Sequence, residues 1–120
     1  NNLKKGQLSD IRTPINANDF VYVDDVANAF SKAASTNFPS GIYNVGSGKS
    51  TSVLEVCRIA EQIVLGTESL TAQLESKAQS SRCEVDFWAD IKHSKEILDW
   101  QPTTSLKEGI QQTKQWIDSQ

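Results

Sequence analysis

Two aspartates, Asp24 and Asp25, stand side by side in the segment DFVYVDDVANAF, and paired carboxylates can serve general acid–base catalysis. The apolar residues change here from an alternating to a helical spacing, so both aspartates fall at the start of a predicted helix. Neighbouring helical side chains point about 100° apart, so these two carboxylates cannot act together on one substrate. We therefore predict that Asp24 caps the helix and that Asp25 lies in its first turn, where the helix dipole favours a negative charge.

The segment GIYNVGSGKST, residues 41–51, places glycines before a predicted helix, as phosphate-binding loops do. A Walker loop needs a glycine five residues before Gly48, where this chain has Tyr43. A dinucleotide-binding fingerprint needs a third glycine three residues after Gly48, where this chain has Thr51. The spacing therefore favours a tight turn before a capped helix, whose free N–H groups could still contact an anion.

The other groups with catalytic or metal-binding chemistry are scattered along the sequence. His93 is the only histidine and lies near the start of a short predicted helix, between Lys92 and Lys95. Cys57 and Cys83 lack the spacing of metal ligands, and Cys57 falls on an apolar helix face, as buried free thiols usually do. We predict reduced thiols, no catalytic residue and no metal site.

The composition indicates one globular domain over residues 1–120, long enough to bury a core. The net charge is −3 and the basic residues are scattered, which argues against a nucleic-acid partner. No apolar run approaches the roughly 20 residues that a membrane-spanning helix needs. We therefore predict a cytoplasmic protein with no membrane partner.

The periodicity predicts strands alternating with helices, which favours an α/β fold. The predicted strands are 19–23, 42–45 and 83–89; the predicted helices run from 24 to about 35, from 53 to 65, from 91 to 98 after Asp90, and from 106 onwards. Ser52 with Glu55, and Ser105 with Glu108, have the spacing of capping boxes. Residues 67–81 are polar and are predicted to form a short strand or an ordered loop.

Three segments in this order resemble the C-terminal half of the extended short-chain dehydrogenase/reductase family, the NAD(P)-dependent epimerases and dehydratases that act on nucleotide sugars. They are DFVYVDDVANAF, GIYNVGSGKSTSVLEVCRIAEQI and WADIKHSKEILDWQPTTSLKEGIQQTKQWI. The resemblance covers about residues 17–117. It implies the C-terminal part of a Rossmann-like enzyme, with its small α/β substrate-binding lobe and without the N-terminal cofactor-binding domain.

The resemblance also implies which catalytic parts this chain lacks. The family uses a tyrosine four residues before a lysine, but Tyr22 is followed by Val26 and Tyr43 by Ser47 at that distance. The chain contains no methionine, which predicts a processed chain or a piece of a longer one. We therefore expect this chain to be the substrate-binding part of an epimerase, dehydratase or reductase and to be inactive alone. We expect NAD or NADP to be bound by the rest of the parent enzyme and not by this chain.

Two positions are implied to contact the pyrophosphate of a nucleoside diphosphate sugar. In the family an arginine directly precedes the Asp-Phe pair, and this chain has Asn18 there, which weakens that contact. A second arginine precedes the Ala-Asp of the third segment, and Arg82 is the candidate. Arg82 lies eight residues before Asp90, where many relatives have about ten, a spacing more like the ADP-heptose epimerase branch. A plain surface role for Arg82 stays open.

Two further expectations concern the whole chain. A truncated sheet would leave edges and apolar surface uncovered, so we predict self-association into a homo-oligomer. The alternative to an enzyme fragment is a stand-alone binding or assembly module that uses the same fold without catalysis.

Overall fold

The computed structural model describes residues 2–35, 38–78 and 85–120, and most of the described residues in regular elements are helical. The elements are, in order, a 3₁₀ turn Leu3–Lys5, β1 Ala17–Asn18, α1 Val23–Ser35, β2 Thr51–Ser52, α2 Val53–Leu65, α3 Ser69–Ala78, α4 Lys92–Ile97 and α5 Leu106–Asp118. A search of these residues finds no helix that is both long and apolar enough to cross a membrane.

The sheet is small and centres on β1. β1 pairs antiparallel with β2, with Ala17 opposite Ser52 and Asn18 opposite Thr51. On its other side Ala17 forms an isolated parallel bridge with Asp86. The predicted strand 19–23 is therefore wrong, because the described sheet pairing at this point is at 17–18 and a helix already begins at Val23.

Helix α1 spans Val23–Ser35, where Ser35 is the last residue described before the gap at 36–37, and it begins earlier than expected. The N–H of Val26 donates to the carbonyl of Tyr22 at 3.3 Å, so Tyr22 occupies the position just before the helix. The prediction that Asp24 caps α1 is therefore wrong, and both aspartates lie in the first turn. Ala29 faces inward and forms the central core cluster with Leu98 and Trp100.

Residues 42–45 keep a strand-like alternation without being a strand. Ile42 and Asn44 are exposed, whereas Tyr43 and Val45 pack against the central core cluster. Among the described residues no segment pairs with 42–45 through backbone hydrogen bonds, so the predicted strand is not formed. An alternating sequence sets which side chains face inward, but a strand also needs a neighbour.

Helices α2 and α3 form a packed pair. Ser52 accepts the N–H of Glu55 at 3.1 Å at the start of α2, and Gly66 ends that helix in the left-handed region at φ 69°. Helix α3 overturns the prediction of a strand or loop for 67–81. Its first-turn N–H groups are bound by Glu61 on α2, a partner that local sequence does not reveal.

The last elements follow the prediction more closely. The predicted strand 83–89 falls partly outside the described residues, and 85–89 contributes only the bridge at Asp86. Helix α4 begins at Lys92, whose N–H donates to Asp90 Oδ1 at 3.0 Å, although Ile91 holds the capping position. Ser105 and Glu108 form both halves of the predicted capping box at the start of α5.

The chain is flatter than a compact domain of its length. Its radius of gyration is 16.8 Å and its principal extents are 50 × 37 × 17 Å. A compact domain of this length would have a radius of gyration of about 14 Å. Large apolar side chains consequently lie at the surface, with Ile42 89% exposed and Phe30 72% exposed.

Candidate functional site

The residue after β1, Asp19, connects three segments of the chain. Its Oδ1 accepts the N–H of Ser47 at 2.6 Å, and its Oδ2 accepts those of Gly48 at 3.1 Å and Ala89 at 3.0 Å. We call this carboxylate and its three N–H donors the Asp19 cluster. It joins the end of β1 to the glycine turn at residues 46–48 and to the segment that precedes α4.

The glycine turn is built to receive this carboxylate. A Cβ atom on Gly46 would lie 2.5 Å from Asp19 Oδ2 and 2.8 Å from the Ala89 Cβ, so only glycine allows the close approach. Gly48 has φ 77°, a left-handed conformation that glycine adopts without strain. The anion bound by this turn is therefore the protein's own Asp19, and the two N–H groups are not free for a phosphate.

The hydrogen bonds of the Asp19 cluster favour the ionised carboxylate. Burial alone would raise the pKa of Asp19, but the hydrogen bonds from Ser47, Ala89 and Gly48 outweigh burial and bring the pKa below its ordinary value. Asp19 is therefore negatively charged at neutral pH. Its charge is already matched by protein N–H groups, so it is a structural anion and not a general base.

Of the two residues predicted to bind substrate, Asn18 lies among the described residues and Arg82 does not. Asn18 is half-buried in β1, opposite Thr51 of β2. Arg82 lies outside the described residues, so its predicted contact stays a prediction. The N–H of Ala17 donates to the carbonyl of Val85 at 2.7 Å, and Val85 is three residues after Arg82 in the sequence. The structure thus brings the neighbour of Asn18 against the segment that follows Arg82.

The adjacent aspartates that suggested acid–base chemistry have separate environments. Asp24 is exposed, whereas Asp25 is only 5% exposed. Asp25 Oδ1 accepts the N–H of Thr103 at 3.0 Å and its hydroxyl at 2.9 Å, and Oδ2 accepts the N–H of Thr104 at 3.0 Å. We call these groups the Asp25 cluster. It attaches α1 to the segment before α5, a role that sequence reasoning missed because the partners are distant in the chain.

The other titratable groups offer no catalytic arrangement in the described part of the chain. The ring of His93 stacks on that of Tyr43, with centroids 5.0 Å apart, and the Tyr43 hydroxyl donates to the carbonyl of Pro39 at 2.6 Å. Burial, together with the charge of Glu61, raises the pKa of the Cys57 thiol, which keeps it protonated and unreactive. Within residues 2–35, 38–78 and 85–120, no group of three or more His, Cys, Asp and Glu residues could hold a metal ion.

The sequence is similar to nucleotide-sugar epimerases and dehydratases, although no family model matches it. The UDP-glucuronate 4-epimerase of Thermodesulfobacterium geofontis is 31% identical over 101 residues, which is 83% of this chain and 30% of that protein. A putative UDP-glucose 4-epimerase of Methanocaldococcus jannaschii is 35% identical over 99 residues, 82% of this chain and 30% of that protein. The dTDP-D-glucose 4,6-dehydratase of Bos taurus is 30% identical over 107 residues, 87% and 30% of the two chains.

Solved structures share the fold at lower identity. WbmF of Bordetella bronchiseptica, in complex with NAD⁺, superposes with a TM-score of 0.72 at 20% identity, over 98% of this chain and 34% of that one. The UDP-glucose 4-epimerase of Thermotoga maritima, with UDP-glucose, superposes with a TM-score of 0.68 at 22% identity, over 98% and 37% of the two chains.

The fold is therefore that of part of a Rossmann-like short-chain dehydrogenase/reductase of the extended type. Within that class, the chain belongs to the nucleotide-sugar epimerase and dehydratase family. Both results confirm what the three sequence segments indicate. The chain spans about 30% of the length of the curated relatives it matches.

Proposed function

We propose that this chain is the substrate-binding, C-terminal part of an NAD-dependent nucleotide-sugar epimerase or dehydratase and is inactive by itself. The family and the partial coverage of each relative support this proposal. The names of the relatives give uridine or thymidine diphosphate sugars as the substrate class. A cytoplasmic location stays a prediction from the sequence.

The observation that carries the proposal is the hydrogen bond from the Ala17 N–H to the Val85 carbonyl. It supports a site in which Asn18 and Arg82 contact one ligand, because the three residues from Arg82 to Val85 span at most about 11 Å. An arginine guanidinium binds phosphate oxygens in a bidentate, charge-assisted manner. The side-chain amide of Asn18 can donate a hydrogen bond but brings no charge, so we expect Arg82 to supply most of the affinity.

The glycine turn at residues 46–48 does not fit the pyrophosphate of a bound NAD. In the glycine turn, the N–H groups of Ser47 and Gly48 are already bound by Asp19, which leaves no cradle for a dinucleotide pyrophosphate there. NAD accepts and returns a hydride in enzymes that bind it. We place that cofactor in the part of the parent enzyme that this chain does not match.

Calorimetric titration of the chain with UDP-glucose, dTDP-glucose and UDP tests the proposal. We expect the diphosphate ligands to bind and Arg82→Ala to weaken them by about tenfold or more, the loss of a charged hydrogen bond. Arg12→Ala is the matched control, since Arg12 is a highly exposed arginine whose nearest acidic partner is Asp10. Absence of binding, or equal losses in both variants, would contradict the proposal.

The proposed lack of catalytic activity in the isolated chain needs its own experiment. The isolated chain is mixed with NAD and UDP-glucose, and the sugar products and the absorbance of NADH are followed. We expect neither epimerised or dehydrated sugar nor NADH. Formation of any of these products above a protein-free control would show that the chain is catalytic by itself.

We also propose that the isolated chain self-associates through apolar surface. Phe30 on α1 and Ile42, which precedes the glycine turn, are both exposed. A cavity of about 250 Å³ lies between α1 and residues 41–45. Exposed apolar patches of this kind favour contacts with another protein surface.

A further inference from the structure

Helix α3 buries little apolar surface. Of its apolar side chains, Ala78 is buried, Leu70 and Leu74 are half-buried, and Ala72 is exposed. The helix packs against α2, and a cavity of about 310 Å³ lies between it and residues 8–11. Because a helix of ten residues is at best marginally stable in water, its contacts with α2 decide whether α3 stays folded.

The carboxylate of Glu61 on α2 binds the start of α3. Its Oε1 accepts the N–H of Leu70 at 2.9 Å, and its Oε2 accepts the N–H of Thr71 at 2.8 Å. Both Glu61 and Thr71 are 0% exposed. Burial raises the pKa of Glu61, but the hydrogen bonds from α3 outweigh burial and bring the pKa below its ordinary value. Glu61 is therefore ionised at neutral pH, and it binds α3 through charge-assisted hydrogen bonds, which are stronger than neutral ones.

A second link between α2 and α3 lies at the surface. Arg58 on α2 pairs with Glu75 on α3 at 3.1 Å and with Glu68, just before α3, at 3.8 Å. The side chains of both glutamates are more than half exposed, and exposed ion pairs contribute little to stability. The buried Glu61 is therefore the contact that should hold α3 in place.

The connection between α2 and α3 has the features of a hinge. It consists of residues 66–68, between the end of α2 at Leu65 and the start of α3 at Ser69. Gly66 has φ 69°, and a Cβ atom placed there would meet nothing within 4 Å. A few connecting residues that begin with an exposed glycine can absorb the change in backbone angles when a helix moves.

We propose that α3 is a flap that opens by itself while the rest of the chain stays folded, with residues 66–68 as its hinge and the Glu61 carboxylate as its latch. In the open state the Glu61 carboxylate and its two N–H partners are hydrated, and α2 keeps its packing against α5. Regions with little buried apolar surface are those that open locally. The opening needs no ligand, so its test does not depend on the proposed function.

Hydrogen–deuterium exchange of the native chain, followed by mass spectrometry at neutral pH and low concentration, measures the opening. We expect the amides of α3 to be protected at least about tenfold less than those of α2. Low concentrations of urea should change the exchange of α3 only slightly, because a local opening exposes little surface. Equal protection of the two helices would overturn the proposal.

A distant variant distinguishes the opening of α3 from unfolding of the whole chain. Asp25→Asn weakens the contacts of α1 with Thr103 and Thr104, because an NH₂ group cannot accept a backbone N–H. These contacts stay formed when only α3 opens. Exchange in α2 and α5 should therefore become faster in this variant, whereas exchange in α3 should stay within about twofold of the wild type. An equal acceleration in all three helices would overturn the proposal.

Glu61→Gln tests the latch. The variant loses the charge and one acceptor oxygen, so we expect α3 to exchange at least about tenfold faster than in the wild type. Arg58→Gln is the matched control, since it also removes a charge that links α2 to α3, and it should change exchange by less than about threefold. A larger effect of Arg58→Gln than of Glu61→Gln would overturn the role of Glu61. If Glu61→Gln does not fold, Glu61→Asp takes its place, because it keeps the charge but withdraws the carboxylate from α3.

Discussion

The indole N–H of Trp100 donates a 3.0 Å hydrogen bond to the main-chain carbonyl of Asp25, which lies 75 residues earlier. The Trp100 side chain is 1% exposed, so the bond satisfies a polar group that would otherwise be buried without a partner. The carboxylate of the same aspartate binds Thr103 and Thr104. A single residue of α1 therefore holds the chain on both sides of Pro102.

Removing the Asp25 carboxylate should destabilise the fold. Asp25→Ala leaves the N–H groups of Thr103 and Thr104 without their acceptor, which we expect to lower the free energy of unfolding by about 3 kcal/mol. Asp24→Ala, at the exposed neighbour, is the control and should change it by less than about 0.5 kcal/mol. Urea denaturation measures both values, and equal changes in the two variants would disprove the assignment.

Stability should fall in acid because three buried or half-buried carboxylates have lowered pKa values. Burial alone would raise the pKa of Asp19, Asp25 and Glu61. Hydrogen bonds from backbone and side-chain groups outweigh burial, so the pKa of each carboxyl lies below its ordinary value. A pKa below the unfolded value, 3.8 for Asp, means that the stabilisation is complete well above that pH. It is lost as the pH falls through the lower folded-state pKa.

Urea denaturation between about pH 7 and pH 2 measures this dependence. The free energy of unfolding should be nearly constant down to about pH 5 and then decrease. Asp25→Asn should show a smaller decrease than the wild type, because this variant has one fewer carboxylate to protonate. An identical decrease in the two proteins would show that Asp25 does not contribute.

Asp99 should be replaceable by glycine with a gain in stability. It follows the end of α4 with φ 48°, in the left-handed region that costs a non-glycine residue about 1 kcal/mol. Lys32 bonds to the Asp99 carbonyl, which glycine retains, and the exposed ion pair at 3.8 Å contributes little. Asp99→Gly should therefore raise the free energy of unfolding by about 1 kcal/mol.

Asp99→Ala is the control for this prediction. It also removes the ion pair with Lys32, but it keeps a Cβ in the left-handed conformation, so it should be neutral or destabilising. Thermal and urea denaturation of the two variants give the comparison. A similar stability for the glycine and alanine variants would show that the backbone conformation is not strained.

Self-association should depend on Ile42. Because this side chain is 89% exposed, Ile42→Lys should not disturb folding, but it should lower the fraction of dimer or larger species in sedimentation velocity. Ser40→Lys adds the same charge at a nearby exposed polar position and should leave the distribution unchanged. A wild-type chain that sediments as a monomer at high concentration would contradict the prediction.

The parts of the fold that were predictable depend on residues close in the sequence. Ser105 and Glu108, the two residues of the capping box, are three positions apart, and the glycine stop at Gly66 needs only its own backbone conformation. The family also followed from sequence alone, because three local segments in a fixed order carry the resemblance.

The parts that were mispredicted depend on partners far along the chain. Helix α3 is capped by Glu61, a fully buried residue on the preceding helix, so its own polar sequence did not indicate a helix. The strand predicted at 42–45 has the right alternation but no neighbour among the described residues. The sequence predicted a tight turn at the glycines and left contact with an anion open, and only the folded chain shows that the N–H groups of this turn bind Asp19.

The sequence by itself determined the end of α2, the start of α5, the family and the absence of the family's catalytic tyrosine–lysine pair, because each is a matter of residue types at short spacing. The tertiary structure decided what the carboxylates do. Asp19, Asp25 and Glu61 each bind backbone N–H groups of another segment, and a carboxylate acquires such partners only when folding closes the loop between them. The physical reason is that hydrogen bonds act over about 3 Å in space, whatever the distance along the chain.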